Sequence, residues 1–194
     1  MVGGYDFLNG EGQWSSGDIF LDTNGSYYPA DSSVSGSGNF GYEYVIDLNF
    51  SDANNLSYDV YKLDFNSATV HYTQNNHSNP WSYDSGGTWV ANGLFSYQNN
   101  LSNADTGFLG DDCNNSNSHY LVSNIDLSFL GASQDFTAHF TMQCGNDNLM
   151  GSGTTIDDGG GPGGGGQVPE PGTFLLLGLG ILGLAAGSRR LARK

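Results

Sequence analysis

The chain has 194 residues, room for one domain of ordinary size plus accessory segments. Of its 20 acidic and 5 basic residues, four of the basic ones (Arg189, Arg190, Arg193 and Lys194) fall in the last six positions. Residues 1–168 carry 19 carboxylates against Lys62 alone, a formal charge of −18 that repels nucleic acid and anionic lipid and so excludes a nucleic-acid-binding role.

From the start, Met1-Val2-Gly3-Gly4-Tyr5-Asp6 reads as polar, domain-like sequence rather than the charged region and apolar run of an export leader. The clearest periodicity follows at residues 40–50. Phe40, Tyr42, Tyr44, Ile46, Leu48 and Phe50 take every second position and polar residues mostly fill the others, Val45 excepted. This two-residue repeat predicts a strand with one buried face. Further strands are predicted over residues 56–65, 68–73, 88–97, 120–130 and 136–142, the last with Phe136, Ala138, Phe140 and Met142 on one face.

Asp-, Asn-, Ser- and Gly-rich segments at residues 51–55, 74–80 and 111–118 separate these runs and supply turn chemistry at short intervals. No helical periodicity precedes residue 173. Short, aromatic-rich, turn-punctuated strands predict a mainly β body, an antiparallel β-sandwich or jelly roll, over residues 1–156.

Residues 157–167, Asp-Asp-Gly-Gly-Gly-Pro-Gly-Gly-Gly-Gly-Gln, offer no side chain to anchor to a core and predict a flexible linker. Val168-Pro169-Glu170-Pro171-Gly172 comes next, then an uncharged apolar run at residues 173–188, then the basic end. As a helix the run would reach about 24 Å at ~1.5 Å per residue, a little short of a ~30 Å hydrocarbon core. Snorkelling cations and local thinning make up such a difference. A single transmembrane helix over 173–188 is therefore predicted, with Arg189, Arg190, Arg193 and Lys194 holding its end on the cytoplasmic side and the acidic body outside. Gly183 and Gly187 have the Gly-x-x-x-Gly spacing that lets helices approach, a cheap match in so Gly-rich a run.

Pro-Glu-Pro, a short Gly/Leu-rich span and an Arg-rich end in this order resemble the PEP-CTERM sorting tail, also called the ice-binding protein C-terminal domain; that label is no evidence of ice binding. The resemblance covers residues 168–194. It implies recognition by exosortase, a membrane transpeptidase of Gram-negative bacteria that make extracellular polysaccharide, with cleavage near Pro169, Glu170 and Pro171. Two prolines keep that segment extended and leave Glu170 presented at the membrane boundary. The implied route is a single-pass inner-membrane precursor with its body in the periplasm, then the envelope or surface. Because such a route needs an export signal, one is expected upstream of Met1. The stretch from His139 to Asp147 also resembles the last strand of some PEP-CTERM bodies, which suggests that Cys144 ends a strand and that Gly145-Asn146-Asp147 turns.

In the exported context Cys113 and Cys144 have a single pairing open to them, a disulfide closing about 30 residues and contributing on the order of 3 kcal/mol. The competing reading is two separate buried thiols. His71, His77, His119 and His139 lie far apart without zinc spacing. Asp105, Asp111 and Asp112, with Asn114 and Asn115 and with Asp147 if the cysteines are bridged, form an oxygen set of the kind calcium takes. No loop matches the regular calcium spacing, and solvated turns are the better account of the set.

The body has two glutamates, Glu11 and Glu43, and no singled-out carboxylate pair, so no catalytic residues are assigned and no cofactor beyond calcium is implied. Trp14, Trp81 and Trp89, set among Tyr, Asn and Ser, are either core residues or a surface for stacking sugars. The expectation is a non-enzymatic exported protein of the envelope or extracellular matrix. Its partners would be exosortase, the membrane and extracellular polysaccharide. The alternative is a carbohydrate-binding module or glycan-active enzyme on the same tail.

Overall fold

A computed structural model describes residues 1–27, 39–70, 78–107, 117–145 and 148–156. The described body is mainly β and its paired strands are antiparallel, as predicted. Its main sheet has six strands, in spatial order β11 (Asn148–Thr154), β10 (Asp135–Met142), β2 (Ser16–Asp22), β3 (Tyr44–Asn49), β4 (Ser57–Lys62) and β7 (Thr88–Leu94). A three-stranded sheet orders β1 (Val2–Gly3), β9 (His119–Ser123) and β8 (Ser96–Leu101), and β5 (Ala68–Val70) pairs with β6 (Ser82–Ser85) as a separate ribbon. The one α-helix among the described residues, α1 (Asn103–Thr106), is a single turn closed by a capping box.

The larger core lies on one face of the main sheet. Ile19 and Leu21 of β2, Ile46 and Leu48 of β3, Tyr58 and Val60 of β4, and Phe140 and Met142 of β10 pack there with Tyr5, Phe7, Phe95 and Val122. Val122 belongs to β9, and partly buried Tyr97 of β8 joins the same cluster, so the three-stranded sheet covers this face. The chain changes sheet at Phe95, buried between β7 and β8, whose N–H donates to the Leu56 carbonyl at 3.1 Å. The predicted strand at residues 88–97 is therefore two strands with a corner between them.

The opposite face carries a second core of Phe20, Phe40, Tyr42, Val45 and Leu63, lined by Tyr27, Tyr61 and Tyr83. This corrects the reading of residues 40–50 as one strand. Only Tyr44–Asn49 is strand; Phe40 and Gly41 have φ of 52° and 82° and turn the chain beforehand. Tyr44, Ile46 and Leu48 point to the first core as their spacing predicts, whereas Phe40 and Tyr42 fold over to the second. Val45, the residue that broke the alternation, is fully buried because its face is covered too.

β2, which has no two-residue alternation, is buried on both faces, with Asp18, Ile19, Phe20, Leu21 and Asp22 all inaccessible. Each fully buried Ile, Leu or Phe side chain contributes about 2–3 kcal/mol of transfer free energy, so Ile19, Phe20 and Leu21 anchor this strand between the two cores. β10 beside it also faces both cores. Phe136, Ala138, Phe140 and Met142 share one face as predicted, and His139 points to the other, stacked on Tyr42 at 5.6 Å and tilted against Phe20 at 6.4 Å. Neither ring nitrogen of His139 has a hydrogen-bond partner among the described residues. Burial drives its pKa down to about 4 against a weak opposing contact with the Ser78 main chain, so it packs as a neutral aromatic ring.

Strand β9 ends at Ser123 and the predicted run to residue 130 continues as loop and a 3-10 turn, Ser128–Leu130. β10 ends at Met142, so Cys144 sits in the following turn rather than at the strand end; Gly145, with φ 72°, donates to the Met142 carbonyl at 2.8 Å. β11 then runs back along β10 from Asn148. No helix among the described residues is long and apolar enough to cross a membrane; the predicted linker at 157–167 and span at 173–188 lie outside them.

Gly17 marks the tightest approach in the fold. A Cβ there would sit 2.1 Å from the Trp81 carbonyl oxygen and 2.4 Å from that of Thr141, both main-chain atoms with nowhere to go. Gly17→Ala is expected to lower unfolding free energy by about 3 kcal/mol in chemical denaturation. Gly4→Ala, where nothing lies within 4 Å, is expected to leave it unchanged.

Candidate functional site

Of the residues singled out in the sequence, Asp105 is a helix cap: its carboxylate accepts from the Ser102 main-chain N–H at 2.9 Å and the Ser102 hydroxyl at 2.6 Å. Asp111, Asp112 and Asp147, its expected companions in a calcium set, lie outside the described residues, as do Asn114 and Asn115. No group of three or more His, Cys, Asp or Glu side chains among the described residues is arranged to hold a metal ion. Cys144 is half-buried against the main core and Cys113 is outside the described residues. Pro169, Glu170, Pro171, Arg189, Arg190, Arg193 and Lys194 are outside them as well.

Much of the acidic composition has a local use. Asp6 accepts from the N–H groups of Leu8 and Asn9, Asp22 from those of Asn24, Gly25 and Ser26, Asp52 from Asn54, Asp64 from Asn66 and Asp126 from Ser128. Each closes a turn by offering the backbone an acceptor two to four residues away. Glu43 does the same at longer range, taking the Thr23 N–H at 2.7 Å and the Asn24 side-chain amide at 2.6 Å. An open polar groove of about 680 Å³ lies nearby, between residues 22–25 and the adjoining ends of β10 and β11. Its acids Asp22 and Asp135 are already taken up, Asp22 by the turn and Asp135 by the Thr154 hydroxyl at 2.5 Å.

A different arrangement occurs on the second face of the main sheet. Ile19 pairs with Ile46, which brings the preceding Asp18 of β2 opposite Asp47 of β3; Asp47 pairs with Asp59 of β4, and Asp59 with Asn92 of β7. Three aspartates thus stand side by side across three strands, where like charges directly opposite one another oppose pairing. Asp18 is the buried end of the row. Its Oδ1 accepts the Leu48 N–H and its Oδ2 the Tyr83 N–H, both at 2.8 Å. Burial first and then Asp47 push its pKa up to about 7, against the downward pull of those two bonds. Asp47 is also raised, by burial and by Asp59.

At its open end the row meets aromatic rings. Tyr61 of β4 stacks on Tyr83 of β6 with centroids 4.6 Å apart and planes at 21°. Trp89 of β7, paired with Tyr61, donates from Nε1 to Asp59 Oδ1 at 2.9 Å and remains 54% exposed. The phenols of Tyr61 and Tyr83 are both raised, by partial burial first; Asp59 and then Asp47 add to this at Tyr61, and Tyr61 followed by Asp47, Asp84 and Asp64 at Tyr83. Trp89 is therefore the tryptophan on the surface, whereas Trp14 packs against the main core. Trp81 lies in the chain entering β6, where its carbonyl accepts the Asp18 N–H.

Sequence reasoning named Trp89 but none of Asp18, Asp47, Asp59, Tyr61 and Tyr83. The only signal was the spacing of Asp59 and Tyr61 on one strand face.

Because the folded pKa of Asp18 lies above its unfolded value near 4, the folded state holds the extra proton between those limits. Stability from this group is greatest at low pH and falls as pH rises from about 4 to about 7. Asp18→Asn is expected to remove that slope. It also turns an amide N–H toward one of the two backbone donors, so the variant should be less stable than the parent at pH 4 and closer to it at pH 8, as read by urea midpoints across pH.

No curated protein and no solved structure matches the chain. A family does match its tail: residues 167–190 fit the PEP-CTERM protein-sorting motif, a span that takes in the Pro-Glu-Pro tripeptide, the apolar run and Arg189-Arg190. The tail of this chain is a PEP-CTERM protein-sorting motif, which indicates exosortase-dependent sorting to the cell envelope or surface.

Proposed function

We propose that the chain is a non-enzymatic exported protein, threaded into the inner membrane by a single helix at residues 173–188 and released by exosortase near Pro169, Glu170 and Pro171 to work in the envelope or extracellular matrix. The observation that carries this reading is the match of residues 167–190 to a sorting motif at the end of a body that is otherwise almost free of cations. The order tripeptide, apolar run, Arg-rich end gives the run a cytoplasmic anchor and leaves the acidic body on the outer side. Deployment of Asp6, Asp22, Asp52, Asp64 and Asp126 as turn acceptors supports a scaffold role for the body's acids over a catalytic one.

A second reading, a carbohydrate-binding module carried by the same tail, is favoured by one observation: Trp89 is more than half exposed beside a stacked tyrosine pair and a row of carboxylates.

Expression in hosts with and without exosortase tests the sorting reading. Intact-mass spectrometry of surface material from the exosortase-positive host should show chains ending near the Pro-Glu-Pro segment. The exosortase-negative host, and Glu170→Ala in the positive one, should hold full-length chain in the inner membrane. Full-length chain in the surface fraction of both hosts would reduce the tail to a plain anchor.

A further inference from the structure

We propose that the open face formed by β4, β6 and β7 binds a glycan bearing free amino groups, with sugar rings laid on Trp89 and the Tyr61–Tyr83 pair and ammonium groups set against Asp47 and Asp59. This deepens the carbohydrate-binding reading and rests on it.

Three features of the face lead there. The first is shape: β4 and β7 present Trp89 and Tyr61 side by side, and β6 adds Tyr83 in a parallel stack. The indole is 54% exposed, yet its orientation is set by the bond from Nε1 to Asp59, so a flat aromatic surface is presented without further ordering cost. Next to it, Asn92 is exposed directly across from Asp59 and offers an amide to ring hydroxyls.

The second feature is charge. Asp47 and Asp59 face each other across the ladder, and Asp64 and Asp84 add to the field felt by Tyr83. The only Lys or Arg in residues 1–168 is Lys62, and it lies on the other face of β4, its Nζ 6.0 Å from the centre of the Tyr44 ring. Among the described residues the carboxylates of this face thus have no Lys or Arg partner, while like charge opposes them. An ammonium group is the complement they lack, and the same cation is attracted by the faces of Trp and Tyr.

The third is selectivity. A body with a formal charge of −16 over residues 1–156 repels uronate and other anionic chains, whereas a neutral glycan would gain the stacking but not the ion pairs. A short basic peptide would gain the ion pairs, but its flexible side chains do not match a row of flat rings edged by hydrogen-bonding groups.

The test is calorimetric titration of the full-length chain in neutral detergent. The probes are four tetramers: β-linked glucosamine, β-linked glucose, a uronate and lysine. Saturable binding of the glucosamine tetramer, roughly tenfold or more tighter than either the glucose or the lysine tetramer and with no uronate binding, is expected. Trp89→Ala should weaken it roughly tenfold and Asp59→Asn about fivefold. Trp89→Phe, which keeps a ring, should retain most of it, and Asp135→Asn, three strands away, all of it. Equal binding of the glucose tetramer overturns the amino-group requirement while leaving the carbohydrate-binding reading standing. Equal binding of lysine overturns sugar recognition, and silence with every probe overturns both readings. Unchanged binding by Trp89→Ala in a variant with the parent's circular dichroism overturns the assigned face.

Discussion

The carboxylate of Asp18 is the joint on which the arrangement of the second face depends. The pairing of β2 with β3 runs from Leu21 to Ile19 and stops there. Beyond it, the side chain of Asp18 takes over as the acceptor for the Leu48 N–H, and its other oxygen takes the N–H of Tyr83. Its own N–H reaches the Trp81 carbonyl at 3.0 Å. One buried residue thereby ties β2, β3 and the β5–β6 ribbon together, and Gly17 before it leaves the room the ribbon needs. Tyr83 is carried on that ribbon, so its stack on Tyr61 follows from the Asp18 bonds. Leaving either N–H without an acceptor in this buried place would cost about 1–3 kcal/mol, which explains why a carboxylate is kept where a second carboxylate opposes it.

A sheet covered on both faces has consequences for composition. β2 and β10 lie in the middle of two cores, so their buried positions include Asp18, Asp22, His139 and Thr141 alongside the apolar residues. Each polar group there is either built into the backbone network or, as with His139, held neutral by burial and packed against aromatic rings. Toward β4 and β7 the cover runs out, and the same face becomes solvent-exposed at Asn92 and Leu94. The transition from core to surface falls along the aspartate row, with Asp18 buried, Asp47 and Asp59 half-buried and Trp89 beyond them in solvent. Aromatic rings that complete the core at one end of the face thus form a surface at the other.

Residues 136–142 and the Tyr44, Ile46, Leu48 triplet were readable because each has one apolar face and an alternation that reports it. β2 was not, because burial on both sides erases the alternation and its aspartates look like turn residues until their backbone partners are known. The fold-back at Phe40 and Gly41 was hidden for a related reason: Phe40 and Tyr42 continue the two-residue spacing in sequence while serving the opposite face in space. The Phe95 corner interrupts an otherwise uniform β-rich run that carries no local stop signal stronger than Gly93.

Composition and local order by themselves determined that the body is acidic, punctuated by Asp and Asn turns and mainly β, and that the chain ends in a Pro-Glu-Pro, apolar, Arg-rich tail matched by the PEP-CTERM sorting motif. These are properties of neighbouring residues, so no partner in space is needed to read them. Only the tertiary structure decided that Asp18, Asp47, Asp59, Tyr61, Tyr83 and Trp89, spread over more than 70 positions, meet on one face. A two-residue period says which side of a strand a residue occupies; which strand lies beside it is set by long-range pairing and by the burial of β2 between two cores.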